Sequence, residues 1–203
     1  MEDVLRESGR HGEAFEWSRR IVNLLKKDGN AANLAGAYNV HGINAHSMLR
    51  NESVPQEEKE MYFLESYDAY KKAEKLCGDG ESRVLVTNRA SLVFEAVGII
   101  GDAAGKYVDE SISVLERLLL QPDDKGHRFE HIRTTLADGY RLKEDWEGLK
   151  RLRDEFGLSN ALTYSCRYRI DYNGSADKDE ALSMIADDLA HEIHRGRFSR
   201  FDP

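Results

Sequence analysis

Apolar residues along this chain recur at steps of three and four, the spacing that gives a helix one buried face. Ile21, Leu24 and Leu25 mark one such stripe. Met61, Leu64, Tyr67, Ala69, Tyr70 and Ala73 mark a second, and Val108, Ile112, Leu115, Leu118 and Leu119 a third. Break signals separate the stripes: Asp28-Gly29-Asn30, Asn51 to Pro55, Gly78-Asp79-Gly80, Gly101-Asp102, Pro122-Asp123-Asp124 and Gly157. Only Thr163–Leu182 is ambiguous. Its Tyr164, Cys166, Tyr168, Ile170 and Tyr172 alternate like a strand, yet Tyr164, Tyr168 and Tyr172 also lie on one helical stripe. A lone strand would leave its backbone unpaired, and no second strand is in evidence.

A loop-then-helix signature recurs at Gly9–Trp17, Gly105–Leu115, Lys143–Leu152 and Ser175–Ile185, and Phe63–Leu76 carries its helical part as Ser66, Tyr70 and Ala73. Each copy has a small residue at the start of an apolar stripe: Ala14, Ser66, Ser111, Gly148 and Ala181. Their spacings are 52, 45, 37 and 33 residues. The segments Asn33–Tyr38 (NLAGAY) and Thr135–Tyr140 (TLADGY) add a shared leucine, small residue and tyrosine. This constellation resembles the tetratricopeptide repeat, whose period is about 34 residues. The resemblance implies an all-α, right-handed α-solenoid of antiparallel helix pairs. It would comprise a single domain over residues 1–194, with about four pairs and a partial N-terminal one, followed by a tail, 195–203. In that frame Thr163–Leu182 is helical, with Asn173-Gly174 as a helix end, and Arg50–Glu60 is an inserted loop. Glu2–Ser8 is too short for a full first helix. Either it acts as a short cap, or the chain is the C-terminal part of a longer regulator whose incomplete end repeat offers a site for self-association.

Composition narrows the class. With 40% apolar and 33% charged residues and only three prolines, the chain reads as helical with room for a core. The net charge of −8 argues against nucleic acid as a partner, because displacing phosphate counterions needs a basic face. Cys77 and Cys166 read as small core residues of a reducing compartment. No apolar run reaches membrane-span length and Met1–Arg10 lacks a signal-peptide pattern, so the expectation is a cytoplasmic protein without a membrane partner.

Candidate chemistry is sparse. His127 and His131, at four residues, and His191 and His194, at three, are too few for a zinc site, so no metal or cofactor is expected. Arg6 and His11 form an Arg-x4-His pair resembling the motif of HEPN-type helical ribonucleases, but Gly9 and Gly12 place it on a turn. No phosphate-cradling glycine loop occurs. The resemblance instead implies a non-catalytic scaffold that binds a peptide or protein along the concave face. A small-ligand sensory domain is the alternative, and a helical ribonuclease a remote one. The concave-face residues it implies are Asn33, Asn39, Asn88, Arg89, Glu95, His131, Thr134, Asp138, Arg141 and Arg167, a polar set rich in amides that can hold an extended backbone. The tail Arg195–Pro203 alternates arginine with Phe198 and Phe201 and is a second candidate for docking or self-association.

Overall fold

The computed structural model describes residues 2–77, 82–121 and 127–156. Every regular element among them is a helix: α1 (Glu2–Glu7), α2 (His11–Asp28), α3 (Ala31–Arg50), α4 (Gln56–Leu76), α5 (Arg83–Ile100), α6 (Asp102–Gly105), α7 (Val108–Leu119), α8 (His127–Leu142) and α9 (Trp146–Phe156). The break signals explain the boundaries. Gly9 and Gly29 end α1 and α2 in the left-handed region, at φ 75° and 71°, where a side chain would be strained. Asn30 then opens α3 by accepting the Asn33 amide at 3.0 Å. The loop expected over Arg50–Glu60 shrinks to residues 51–55, because Arg50 closes α3 and Pro55 stands directly before the first turn of α4. Thr163–Leu182, Ala181 and the tail from Arg195 lie outside the described residues, as do the breaks at Gly78–Gly80, Pro122–Asp124 and Gly157.

The chain groups into two compact units, Met1–Gly139 and Tyr140–Pro203. In the first, α3 is the organising helix. It packs against α2, α4 and α5, and half of its 20 residues are buried. Phe15 of α2, Ala45 and Met48 of α3 and Val54 of the following loop form one core cluster, closed by Tyr62 of α4. Beside it α4 turns Phe63, Ser66, Tyr70 and Ala73 inward, each all but fully buried. The Ser66 hydroxyl donates to the Gly42 carbonyl at 2.8 Å, and a Cβ on Gly42 would stand 2.8 Å from Cε1 of Tyr70. A small residue on each helix permits this approach.

That contact bears on where the small residues of the recurrent signature sit. Ala14, Ser66, Ser111 and Gly148 are all buried. The residue of α3 facing Ser66 and Tyr70, however, is Gly42, whereas Gly36 of the NLAGAY segment is exposed. The stripes shift as well. α2 buries Ala14, Phe15, Ser18 and Val22 and leaves Leu24 outside; α4 leaves out Met61 and Leu64. Packing of Phe15 and Ser18 on α3, and of Ser66 and Tyr70 on Gly42, sets these rotations. Cys77 is exposed rather than a core residue, and Cys166 is outside the described residues. On α7 the stripe holds, with Val108, Leu115, Leu118 and Leu119 buried.

The described part of the second unit runs from Tyr140 through a tight turn into α9. The Asp145 amide donates to the Tyr140 carbonyl at 2.9 Å and the Glu144 amide to that of Arg141 at 3.2 Å. Glu144 sits between them at φ 54°, a left-handed helix end normally given to glycine. The Asp145 carboxylate accepts the Gly148 amide at 2.8 Å and so caps α9, which buries Leu149 and Leu152.

Three stability measurements check this packing. Gly42→Ala should lower the urea-derived stability by about 1–3 kcal/mol, because Tyr70 must move. Gly98→Ala, in open space on α5, should instead raise it by about 0.5–1 kcal/mol. Glu144→Gly should stabilise by about 1 kcal/mol, relieving the left-handed residue; a loss would show that the turn is not held as described.

Candidate interaction face

α3 and α5 touch along a row of polar side chains. Asn88 donates from Nδ2 to Oδ1 of Asn39 at 3.3 Å. Seven residues further along each helix, His46 Nε2 lies 3.0 Å from Oε2 of Glu95. Because a carboxylate can only accept, this nitrogen carries the proton. Arg50, one turn beyond His46, forks its Nε and Nη2 onto the two oxygens of Glu95. Gln56 continues the row by donating to the Ile99 carbonyl at 2.7 Å. Asn39, Asn88 and Glu95 are half-buried and Arg50 is exposed, so the row forms a surface seam. Burial works against charge on Glu95, but the His46 and Arg50 hydrogen bonds outweigh it and hold the carboxyl down at about 2.

A second polar chain lies deeper. His41 of α3 stacks on Phe15, with ring centres 5.2 Å apart. Its Nδ1 is 2.9 Å from the Ser18 hydroxyl and its Nε2 3.1 Å from Oε1 of Glu65. Ser18 Oγ also lies 2.8 Å from the Phe15 carbonyl, and its single proton can serve only one of these acceptors. Burial lowers the His41 pKa despite the opposing pull of Glu65, which favours the neutral ring. In that state Nε2–H donates to Glu65 and Ser18 donates to Nδ1. The serine–histidine–carboxylate order resembles a nucleophile relay, yet Ser18 and His41 are both buried in the packing of α2 against α3. The chain ties three helices together.

Arg89 requires a correction. Expected on the concave face, it is only 4% exposed and turns inward. Its Nε donates to Glu74 Oε1 at 2.8 Å and its Nη1 to the Tyr67 hydroxyl at 3.2 Å. The guanidinium also sits over the Tyr67 ring and 3.6 Å from a Glu110 oxygen. It therefore joins α4, α5 and α7 and contributes nothing to the seam. A buried cation needs such partners, and Glu74 and Glu110 supply them.

The other expected residues are distributed as follows. Asn33 is exposed in the first turn of α3 and lines an open groove of about 490 Å³ against α2. On α8, His131 is exposed, Thr134 is half-buried and bonded to the His131 carbonyl at 3.0 Å, and Asp138 is half-buried. Arg141 is exposed and belongs to the second unit; Arg167 lies outside the described residues. The structure thus brings together Asn39 and Asn88 and gives Glu95 two partners, His46 and Arg50, that the sequence reading missed. Their signal was present: His46 stands to Glu95, 49 residues on, as Asn39 stands to Asn88. Arg6 and His11 fall on α1 and α2, on either side of Gly9. Among the described residues, no group of three His, Cys, Asp or Glu side chains could hold a metal, and no helix is long and apolar enough to cross a membrane.

The Glu95 cluster predicts an acid signature. A carboxyl held near 2 in the fold and near the ordinary 4.5 in the unfolded chain stabilises fully above pH 4.5. That contribution is lost as the pH falls towards 2, since the unfolded chain takes up its proton first. Urea midpoints at pH 5 and pH 2.5 should therefore fall less for Glu95→Gln than for the wild type. Parallel losses would show that the three side chains do not interact.

Comparison with protein-family models, with curated proteins and with solved structures finds no match for this chain.

Proposed function

We propose that the chain is a non-catalytic interaction scaffold that holds an extended peptide along the face shared by α3 and α5. The helix pairing implied by the tetratricopeptide resemblance underlies this reading, and the side-chain contacts support it. Ser18 meets His41 and Ala14 meets Asn44; Gly42 meets Ser66 and Leu49 meets Lys59. Residue numbers fall along one helix as they rise along its neighbour, the sign of antiparallel packing. Asn39–Asn88 and His46–Glu95 instead rise together, so α3 and α5 run the same way, as first helices of successive pairs would.

The observation that carries the proposal is the Asn39–Asn88 pair. One amide hydrogen bond joins the two helices and occupies Nδ2 of Asn88 and Oδ1 of Asn39. Asn39 retains its NH2 group and Asn88 its carbonyl oxygen, a donor and an acceptor side by side on a half-exposed surface. A peptide backbone presents the complementary acceptor and donor at every residue. The neighbouring charges are already paired through Glu95, so the seam favours backbone recognition over charge matching.

The test is selection of random peptides on the wild-type protein, followed by calorimetry and amide chemical-shift mapping. Asn39→Ala combined with Asn88→Ala should weaken the selected peptides about tenfold or more, since two hydrogen bonds contribute on the order of 1 kcal/mol each. Shifts should concentrate on α3 and α5. Peptides that bind the double variant as well as the wild type, or that shift other helices alone, would remove the seam from consideration.

A further inference from the structure

The packing of α2 on α3 has two polar weak points. Asn44 of α3 is 1% exposed; its Nδ2 donates to the Ala14 carbonyl at 3.2 Å, but its Oδ1 is buried and meets no donor among the described residues. One turn away on α3 stands His41, also buried, with Phe15 stacked on its ring and the Ser18 hydroxyl on Nδ1. The residues that meet both groups here, Ala14, Phe15 and Ser18, belong to α2. Lifting α2 would let water reach the Asn44 oxygen. It would also wet the His41 ring and leave the bond from Nε2 to Glu65, which joins α3 to α4.

The groups around His41 decide what a second proton does. On α2, Arg19 opposes a positive ring, and Glu16, paired with Arg19 at 3.1 Å, favours it. On α4, Glu65 favours it too, and the Tyr62 hydroxyl, whose pKa burial pushes up, stays uncharged. On α5, Glu95 is already turned to His46 and Arg50. Proton uptake breaks no hydrogen bond of the ring. Ser18 can swing its own proton to the Phe15 carbonyl, 2.8 Å away, and accept from Nδ1. What uptake adds is a charge out of water. Burial outweighs Glu65 and holds the covered His41 below its ordinary 6.5. With α2 lifted, the burial goes and Glu65 stays. The lifted state therefore takes up the proton first as the pH falls through 6.5, and its population rises. Well above that pH the ring is neutral in both states and the balance between them does not move.

We infer that α1 and α2 form an acid-released flap: proton uptake by His41 favours a state in which they have come away from α3 and uncovered the seat of Phe15. That seat is apolar, made by Ala45, Met48 and Val54 with Tyr62 at its edge. α2 packs chiefly on α1 and α3, so the two helices can part from α3 while α3, α4, α5 and α7 keep their mutual packing. The flap is separate from the α3–α5 seam and does not depend on what that seam binds.

Hydrogen exchange of the full chain at pH 8 and pH 5.5, read by mass spectrometry and corrected for the intrinsic pH dependence of amide exchange, tests the inference. Opening of α2 should become about threefold more frequent at pH 5.5, while the amides of α4 change little. The Glu95 contribution is lost only below pH 4.5 and does not enter. His41→Gln should abolish the pH response. Asn44→Leu replaces the unpartnered oxygen by an apolar group of similar size, and should make opening about threefold rarer at both pH values. No rise in α2, or an equal rise in α4, would overturn the flap. A response that survives His41→Gln would overturn the role of the ring, and more frequent opening in Asn44→Leu the weak point at Asn44. Should His41→Gln fail to fold, the wild-type imidazole resonances decide: a His41 that titrates at or above 6.5 draws nothing from opening, and the inference falls.

Discussion

A helix that packs against three others must find partners for the polar side chains it buries; α3 carries several and leaves the buried Oδ1 of Asn44 without one among the described residues. His41, Asn44 and His46 are all buried, and each finds a partner on a different neighbour. His41 reaches Ser18 of α2 and Glu65 of α4, Asn44 donates to the Ala14 carbonyl, and His46 meets Glu95 of α5. Desolvating any of these groups without a partner costs more than the net value of the bond itself, so the bonds act mainly by excluding other registers. Apolar contacts alone would tolerate a helix sliding by a turn. The polar residues of α3 do not, and the positions of α2, α4 and α5 follow from them.

The same constraint explains which parts of the structure were legible in the sequence. Helix boundaries depend on local chemistry, and Gly9, Gly29, Asn30 and Pro55 stand where that chemistry requires. The Ser66, Tyr70, Ala73 triplet was legible for the same reason, since its spacing puts all three on one face of α4. Rotation and register were less so. Leu24 looks as apolar as Val22, and only the docking of Phe15 and Ser18 on α3 decides that Val22 goes inside. Gly36 and Gly42 are both small residues on α3, and only Tyr70 decides which one is approached.

The candidate site divides along similar lines. Asn39, Asn88 and Glu95 reach the α3–α5 seam because their place in the helix frame is enough to aim them there. Arg89 adjoins Asn88 in sequence but is turned by about 100° on the helix, which directs it to Glu74 and Tyr67 instead. His46 and Arg50 were passed over because they sit on the buried and exposed margins of α3, where the repeat pattern gives no role. Their importance comes from Glu95, on a helix that begins more than thirty residues later.

Pairing of charge within the seam bears on what such a surface can discriminate. Had Glu95 stood alone, a basic side chain would be the natural ligand and binding would weaken with salt. With Arg50 and His46 already on its oxygens, a competing cation must first break bonds that hold α3 to α5. The amides of Asn39 and Asn88 carry no net charge and keep their hydrogen-bonding capacity at any moderate ionic strength. Selectivity on this face would then come from the path of a backbone and from the side-chain pockets beside it. The chain's net negative charge would act at longer range, on the rate of encounter.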